Sequence, residues 1–142
     1  MNTCFYCEKN ETLSNIMLPV CSLKHSEVYI IKNQNYPGRC VVAYKEHKCE
    51  LYELSSEELL GFSQEVAAVA KAIAEHTQAD KINYAIYGDG VPHLHYHVVP
   101  KKKELYGWGS PFTLSGNDAY PSEEELQTLA GILSKKIMAV TK

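Results

Sequence analysis

Three observations predict an α+β fold built on a largely antiparallel sheet. Residues 91–100, Val-Pro-His-Leu-His-Tyr-His-Val-Val-Pro, alternate in character and are rich in strand formers, the pattern of a strand with two unlike faces. Residues 82–87 are a second strand-forming run. Only the turn formers Gly88-Asp89-Gly90 separate the two, so they are expected to fold back as an antiparallel hairpin. Two longer segments carry apolar residues at helical period behind a capping-box pair, Ser55 with Glu58 and Ser122 with Glu125. Several strands, a helix, a hairpin and a last helix, in that order, indicate the α+β class.

Taken in order, the chain opens on Cys4-Phe5-Tyr6-Cys7. Residues 8–14 are polar and predict a turn or short helix. Residues 16–21 and 27–31 read as strands, with Lys24-His25-Ser26 turning between them and His25 on the surface. Residues 32–39, Lys-Asn-Gln-Asn-Tyr-Pro-Gly-Arg, are a loop of turn formers, and residues 40–44 are a strong short strand. The helix over 55–77 presents Leu59, Phe62, Val66, Val69, Ala70 and Ile73 as a core stripe. Residues 101–120 are irregular and rich in Gly, Pro and aromatics, Trp108 among them. They serve either as a surface wrap over the sheet or as a lid or dimer-contact arm. The helix over 122–138 buries Leu126, Leu129, Ile132, Leu133 and Ile137. All 142 residues are taken as one domain, with 101–120 and 122–138 packed on it.

Bulk properties exclude several classes. A net charge of −3 argues against a nucleic-acid partner held through a basic surface. No apolar run approaches the roughly 20 residues of a membrane span. Met1-Asn2-Thr3-Cys4 has no secretory pattern. Five cysteines is an odd number in a chain that is not small, so reduced thiols and a cytoplasmic location are expected.

The chemistry concentrates in the alternating stretch. In a strand, His93, His95 and His97 project from one face at intervals of about 7 Å, while Leu94, Tyr96 and Val98 face the core. A neutral imidazole can attack phosphorus and leave again, and a neighbouring imidazole can donate a proton or stabilise phosphate charge. His95, flanked on both sides, is the candidate nucleophile. Metal binding by two or three of these histidines is the rival reading. In a mixed reading, His93 joins Cys4 and Cys7, the halves of a Cys-x-x-Cys clamp. The fourth ligand is then His47 or, as runner-up, Cys49. A closed set of this kind binds a structural zinc and leaves His95 and His97 free.

These residues resemble the histidine triad (HIT) superfamily. His93-Leu-His95-Tyr-His97-Val-Val matches its His-φ-His-φ-His-φ-φ motif. Pro37-Gly38-Arg39-Cys40-Val41-Val42-Ala43-Tyr44-Lys45-Glu46-His47 is similar to its glycine, strand and Lys-x-His segment, and Cys-x-x-Cys to its zinc-containing members. The resemblance implies a HIT-like fold, a five-stranded antiparallel sheet with two main helices, in a homodimer. It implies a nucleotide hydrolase or nucleotidyl transferase that cleaves at the α-phosphate of a nucleoside phosphoramidate or dinucleoside polyphosphate through a nucleotidyl-histidine. Carried over, His95 is the nucleophile, His97 its partner, and Cys4, Cys7, His47 and His93 hold Zn2+. Asn33, Gln34, Asn83 and Asp89 are candidate substrate contacts. A non-catalytic nucleotide-binding or protein-interaction module of the same fold is the alternative, and a metal hydrolase using all three histidines a third reading. The chain departs from better-known branches at Asp89-Gly90, where the usual phosphate loop is missing. It also departs at Pro100-Lys101, and at Arg39, which replaces a histidine and either reaches a phosphate or pairs on the surface.

Overall fold

The computed structural model describes residues 4–141. Two short helices, α1 (Phe5–Glu8) and α2 (Glu11–Ile16), lead into β1 (Met17–Ser22), β2 (Ser26–Ile31) and β3 (Cys40–Tyr44). The long helix α3 (Ser56–Thr77) follows, then β4 (Lys81–Ala85), β5 (His95–Lys101) and α4 (Glu123–Val140). The strands form one antiparallel sheet in the order β1-β2-β3-β5-β4.

Both capping boxes form. Ser55 Oγ accepts from Glu58 N and Ser122 Oγ from Glu125 N, and each glutamate reaches back to its serine's backbone N–H. Two orphan donors are thereby satisfied at each helix start. The helices pack on one sheet face over Leu18, Val28, Ile30, Val42, Leu94 and Val98. Two positions of the expected stripes are not core. Leu59, in the first turn of α3, is exposed, and so is Ile132. At 3.6 residues per turn, Ile132 stands about 120° round α4 from the buried Leu126, while Ala130 and Leu133 lie near its meridian.

The turn after β1 is tied to α3 by a buried carboxylate. Glu65 accepts from the His25 backbone N–H at 3.0 Å and from Ser26 Oγ at 2.6 Å. His25 is accordingly half-buried rather than a free surface residue, and its ring occupies the space that a side chain at Gly61 would need.

Two details of the sheet differ from expectation and both concern the histidine strand. β5 starts at His95, so His93 precedes it. The partner β4 ends at Ala85, opposite His97, and the connection runs over residues 86–94 rather than closing tightly at Gly88-Asp89-Gly90. The chain is instead held near His93 by backbone bonds from Leu94 N to Lys48 O at 2.7 Å and from Tyr44 N to Leu94 O at 2.9 Å. These bonds bring the segments of His47 and His93 side by side.

The second sheet face, carrying His95 and His97, is also covered. Tyr6, Leu13, Met17, Tyr29, Ile31, Val41 and Ala43 pack there, beside Tyr36, Val99 and Phe112. The irregular 101–120 segment wraps over this face. Buried Lys101 donates through Nζ to the carbonyls of Gly107 (2.6 Å) and Ser110, and Asn33 bonds both Asp118 and Ala119. Among the described residues no helix is long and apolar enough to cross a membrane.

Candidate active site

Cys40 pairs with Val98, Val41 with His97 and Ala43 with His95. Central position in the sheet makes the imidazole platform rigid, and it also buries it. His93, His95 and His97 are 2%, 6% and 7% exposed, far less than an open reactive face would be.

Each imidazole is held differently. His93 Nε2 lies 2.7 Å from the Tyr44 carbonyl. A carbonyl only accepts, so Nε2 carries the proton and the Nδ1 lone pair faces the other way. There it meets Cys4 Sγ at 3.2 Å, His47 Nδ1 at 3.2 Å and Cys7 Sγ at 3.6 Å. Cys7 Sγ is also 3.4 Å from His47 Nδ1. All four ligand atoms lie within 4.8 Å of one another. A tetrahedron with zinc-to-nitrogen and zinc-to-sulfur bonds of ordinary length has edges of about 3.3 to 3.8 Å, which these separations match. The carbonyl behind His93 is the outer partner that fixes a metal-binding imidazole. The residues fit a closed metal site. Cys49 stays outside it, donating to Pro92 O at 3.1 Å and approaching His47 only at Nε2.

His95 Nδ1 is 2.5 Å from the His93 carbonyl, so Nδ1 donates and the neutral ring presents a free Nε2 lone pair. With His93 Nε2 on Tyr44 and its Nδ1 in the cysteine cluster, His93 has no nitrogen left for a metal shared with His95 and His97. His97 packs against His95 at 5.2 Å, Tyr87 at 5.6 Å and Phe112 at 5.7 Å between ring centroids. Its Nδ1 is buried without a partner among the described residues.

Burial holds all three rings below the usual histidine range. For His93 it is opposed by the Tyr44 bond and aided by His47 and His95. For His95 it is opposed by the His93 carbonyl. His97 is driven down to about 4, by burial first and then by His95 and Arg39. All three are therefore uncharged at neutral pH. A folded-state value below the unfolded one means that the unfolded chain binds more protons between the two values. The stability is full above about pH 6.5 and is lost as pH falls toward 4. His97 alone should account for about 2 kcal/mol between pH 7 and pH 5. Urea unfolding at both values should show that loss in the wild type and a smaller one in His97→Gln. Equal losses would refute the assignment.

His95 and His97 line a cleft of about 750 Å³ walled by Phe5, Met17, Ile31, Tyr87 and Leu114, with Arg39 and Asn33 inside it. That is the size of a small-molecule site with apolar walls and few polar groups. Asp89 stands at the same cleft and is exposed. Gln34 and Asn83 do not line it. The Gln34 amide is spent on the Ile31 and Arg39 carbonyls and the Gly38 N–H, so it shapes the loop. Asn83 lies in a neighbouring recess with Trp108 and Phe112. Phe5, Tyr87 and Phe112 were not anticipated as site residues. The Cys-x-x-Cys spacing tethers the Phe5 segment beside the histidine strand, but it does not say which side chain enters the cleft.

The HIT domain family model matches residues 20–104. An adenosine 5′-monophosphoramidase of Schizosaccharomyces pombe is 36% identical over 102 residues, spanning 70% of this chain and 73% of that protein. A histidine triad protein of Bradyrhizobium japonicum superposes with a TM-score of 0.81 at 26% identity, covering 90% of this chain and 96% of the other. A zinc-bound histidine triad family protein of Mycobacterium smegmatis superposes with a TM-score of 0.69 at 22% identity, covering 96% of each. With the triad, the sheet order and the sequence match in agreement, this chain belongs to the HIT domain family.

Proposed function

We propose that this protein is a nucleotide hydrolase or nucleotidyl transferase that cleaves at the α-phosphate of a nucleoside phosphoramidate or dinucleoside polyphosphate. One observation carries the reading. The His93 carbonyl fixes His95 with Nδ1 protonated, so its Nε2 lone pair is available to a phosphorus atom in the cleft. Nε2 forms a bond to the α-phosphorus while the bond to the leaving group breaks and its electron pair leaves with it, on a phosphate oxygen for a polyphosphate or on a nitrogen that takes up a proton as it departs for a phosphoramidate. Water or another acceptor then attacks the same phosphorus, the P–N bond breaks, and Nε2 recovers its lone pair. His97, next along the face, is the partner that contacts the leaving side. Asn33 and Asp89 are the candidate contacts to the nucleotide at the cleft, while Gln34 acts by holding the 34–38 loop. Similarity to an adenosine 5′-monophosphoramidase supports this class of substrate.

Cys4, Cys7, His47 and His93 would hold one Zn2+. With all four positions taken by protein, it would supply structural cross-linking rather than substrate activation. The cytoplasmic location, the single domain and the homodimer belong to the same proposal. Reduced cysteines suit the first. The test is AMP release from adenosine 5′-phosphoramidate and from diadenosine tetraphosphate, followed by chromatography. Release from either supports the reading. Tight AMP binding with no turnover of any nucleotide would favour the non-catalytic module.

A further inference from the structure

Among the described residues, Arg39 is the one buried cation of the cleft, and no carboxylate forms an ion pair with it. It stands two residues before Val41, the partner of His97, and strand alternation puts its side chain on the histidine face. Only 3% of it is exposed. Nε donates to Asn33 O at 2.9 Å and Nη2 to Leu114 O at 3.4 Å, while Nη1 has no partner. Among the described residues no carboxylate lies within ion-pairing distance of it. Asp118 is the one carboxylate whose charge acts on Arg39, after Tyr36 and Tyr120, and its Oδ1 accepts from the Asn33 side chain and the Gly116 N–H. Lys32, the other cation at the cleft, is paired with Glu123 on the rim. His97, which Arg39 faces, is uncharged.

A guanidinium stays protonated when buried, and burial without a counter-charge is costly. Here two carbonyls aim the fork and leave the Nη1 N–H pair unpartnered and shielded from solvent in the cleft wall, so a ligand oxygen meets it only by parting that wall. The loop that does this is built for it. Gly38 holds a φ of +98°, and a side chain there would meet Thr77 Cγ2 at 2.6 Å. Gln34 fixes both the Gly38 N–H and the Arg39 carbonyl.

We propose that Arg39 determines leaving-group specificity: its free Nη1 takes an oxygen of a phosphate leaving group, so that the cleft prefers dinucleoside polyphosphates to substrates that release an amine. The inference rests on His95 as nucleophile. When the α-phosphorus bonds to Nε2, the bridging P–O bond breaks and its electron pair stays on the departing phosphate, which gains one negative charge. A fixed cation beyond His97 stabilises that charge without transferring a proton. A phosphoramidate breaks a P–N bond instead, and its nitrogen leaves as neutral amine by accepting a proton, a need Arg39 does not meet.

The experiment compares kcat/KM for diadenosine tetraphosphate and adenosine 5′-phosphoramidate in wild type, Arg39→Gln and Arg39→Lys, with calorimetric binding of ADP and AMP to each. The ratio of the two kcat/KM values should fall by about 30-fold in Arg39→Gln and by less in Arg39→Lys, as expected for loss of a charge-assisted hydrogen bond. Wild type should bind ADP about tenfold more tightly than AMP, and Arg39→Gln should not. An unchanged ratio, or equal losses on both substrates, overturns the proposal. If wild type cleaves neither substrate, the nucleophile reading has failed, and the ADP-to-AMP preference alone decides for or against Arg39. If Arg39→Gln does not fold, as its melting curve would show, Arg39→Lys and the wild-type preference decide. Absence of that preference overturns the proposal.

Discussion

His95→Ala should lower kcat for AMP release by about 10⁴-fold or more, with AMP affinity within a few-fold of wild type. The magnitude follows from what is removed. A covalent nucleophile cannot be replaced by its neighbours unless one can reach the same phosphorus with a free lone pair. His93 cannot, because Tyr44 O holds one nitrogen and the cysteine cluster faces the other. His97 has a free nitrogen but is displaced along the strand, its ring 5.2 Å from that of His95. Direct attack by water would set the residual rate. Affinity should survive because most of the cleft wall, Met17, Ile31, Tyr87 and Leu114 among it, comes from segments other than β5. Single-turnover AMP release with equilibrium binding on the same preparation gives both quantities. A variant retaining more than about a hundredth of wild-type turnover would remove His95 from the nucleophile role.

The sequence reveals the elements of this fold more readily than the depth at which the site lies. Helix starts are local: Ser55 with Glu58 and Ser122 with Glu125 need only three residues of chain to form their boxes. Strand alternation is local too, and it places Leu94 and Val98 in the core and the histidines opposite. Burial of His93, His95 and His97 is not local. It depends on α1 and on Phe112, which arrive from distant segments. Ile132 is the opposite case: helical period alone sets it about 120° from Leu126 and off the buried stripe.

Individual site residues divide in the same way. Cys4 and Cys7 form a half-site legible from spacing, whereas His47 and His93 lie 40 and 86 residues from Cys7; residue chemistry offers them as one open reading, with Cys49 as the rival to His47, and only the family resemblance implies the full set. Gln34 and Asn33 are adjacent and chemically alike, yet one turns into the loop and the other lines the cleft. No one-dimensional pattern separates them. Arg39 was visible as a departure from the family's histidine, but its orphaned Nη1 emerges only when Asn33 O and Leu114 O are seen to occupy the rest of the fork.

Removing metal should have the largest effect on the structure as a whole. Wild type and His95→Ala should each carry one zinc per chain by elemental analysis, while Cys4→Ser and Cys7→Ser should carry less than a tenth of that. Chelation should lower the melting temperature by roughly 10 °C, since a ligand at a thousandfold excess over its Kd contributes about 4 kcal/mol and each kcal/mol moves a domain of this size by some 2–4 °C. The consequence reaches the cleft because a metal held by Cys4 and Cys7 would clamp α1, which carries two aromatic residues between them. Phe5 is part of the cleft wall. The Tyr6 ring sits 5.2 Å from both His93 and His95. Without the clamp, α1 keeps a single backbone turn and the packing of Tyr6 to hold it, and four residues are far below the length at which a helix persists unaided. AMP affinity should therefore fall with zinc content in Cys7→Ser, although neither cysteine lines the cleft. Zinc retained in Cys7→Ser and lost in His95→Ala would instead place the metal on the triad. That outcome would replace nucleotidyl-histidine chemistry with metal-assisted hydrolysis.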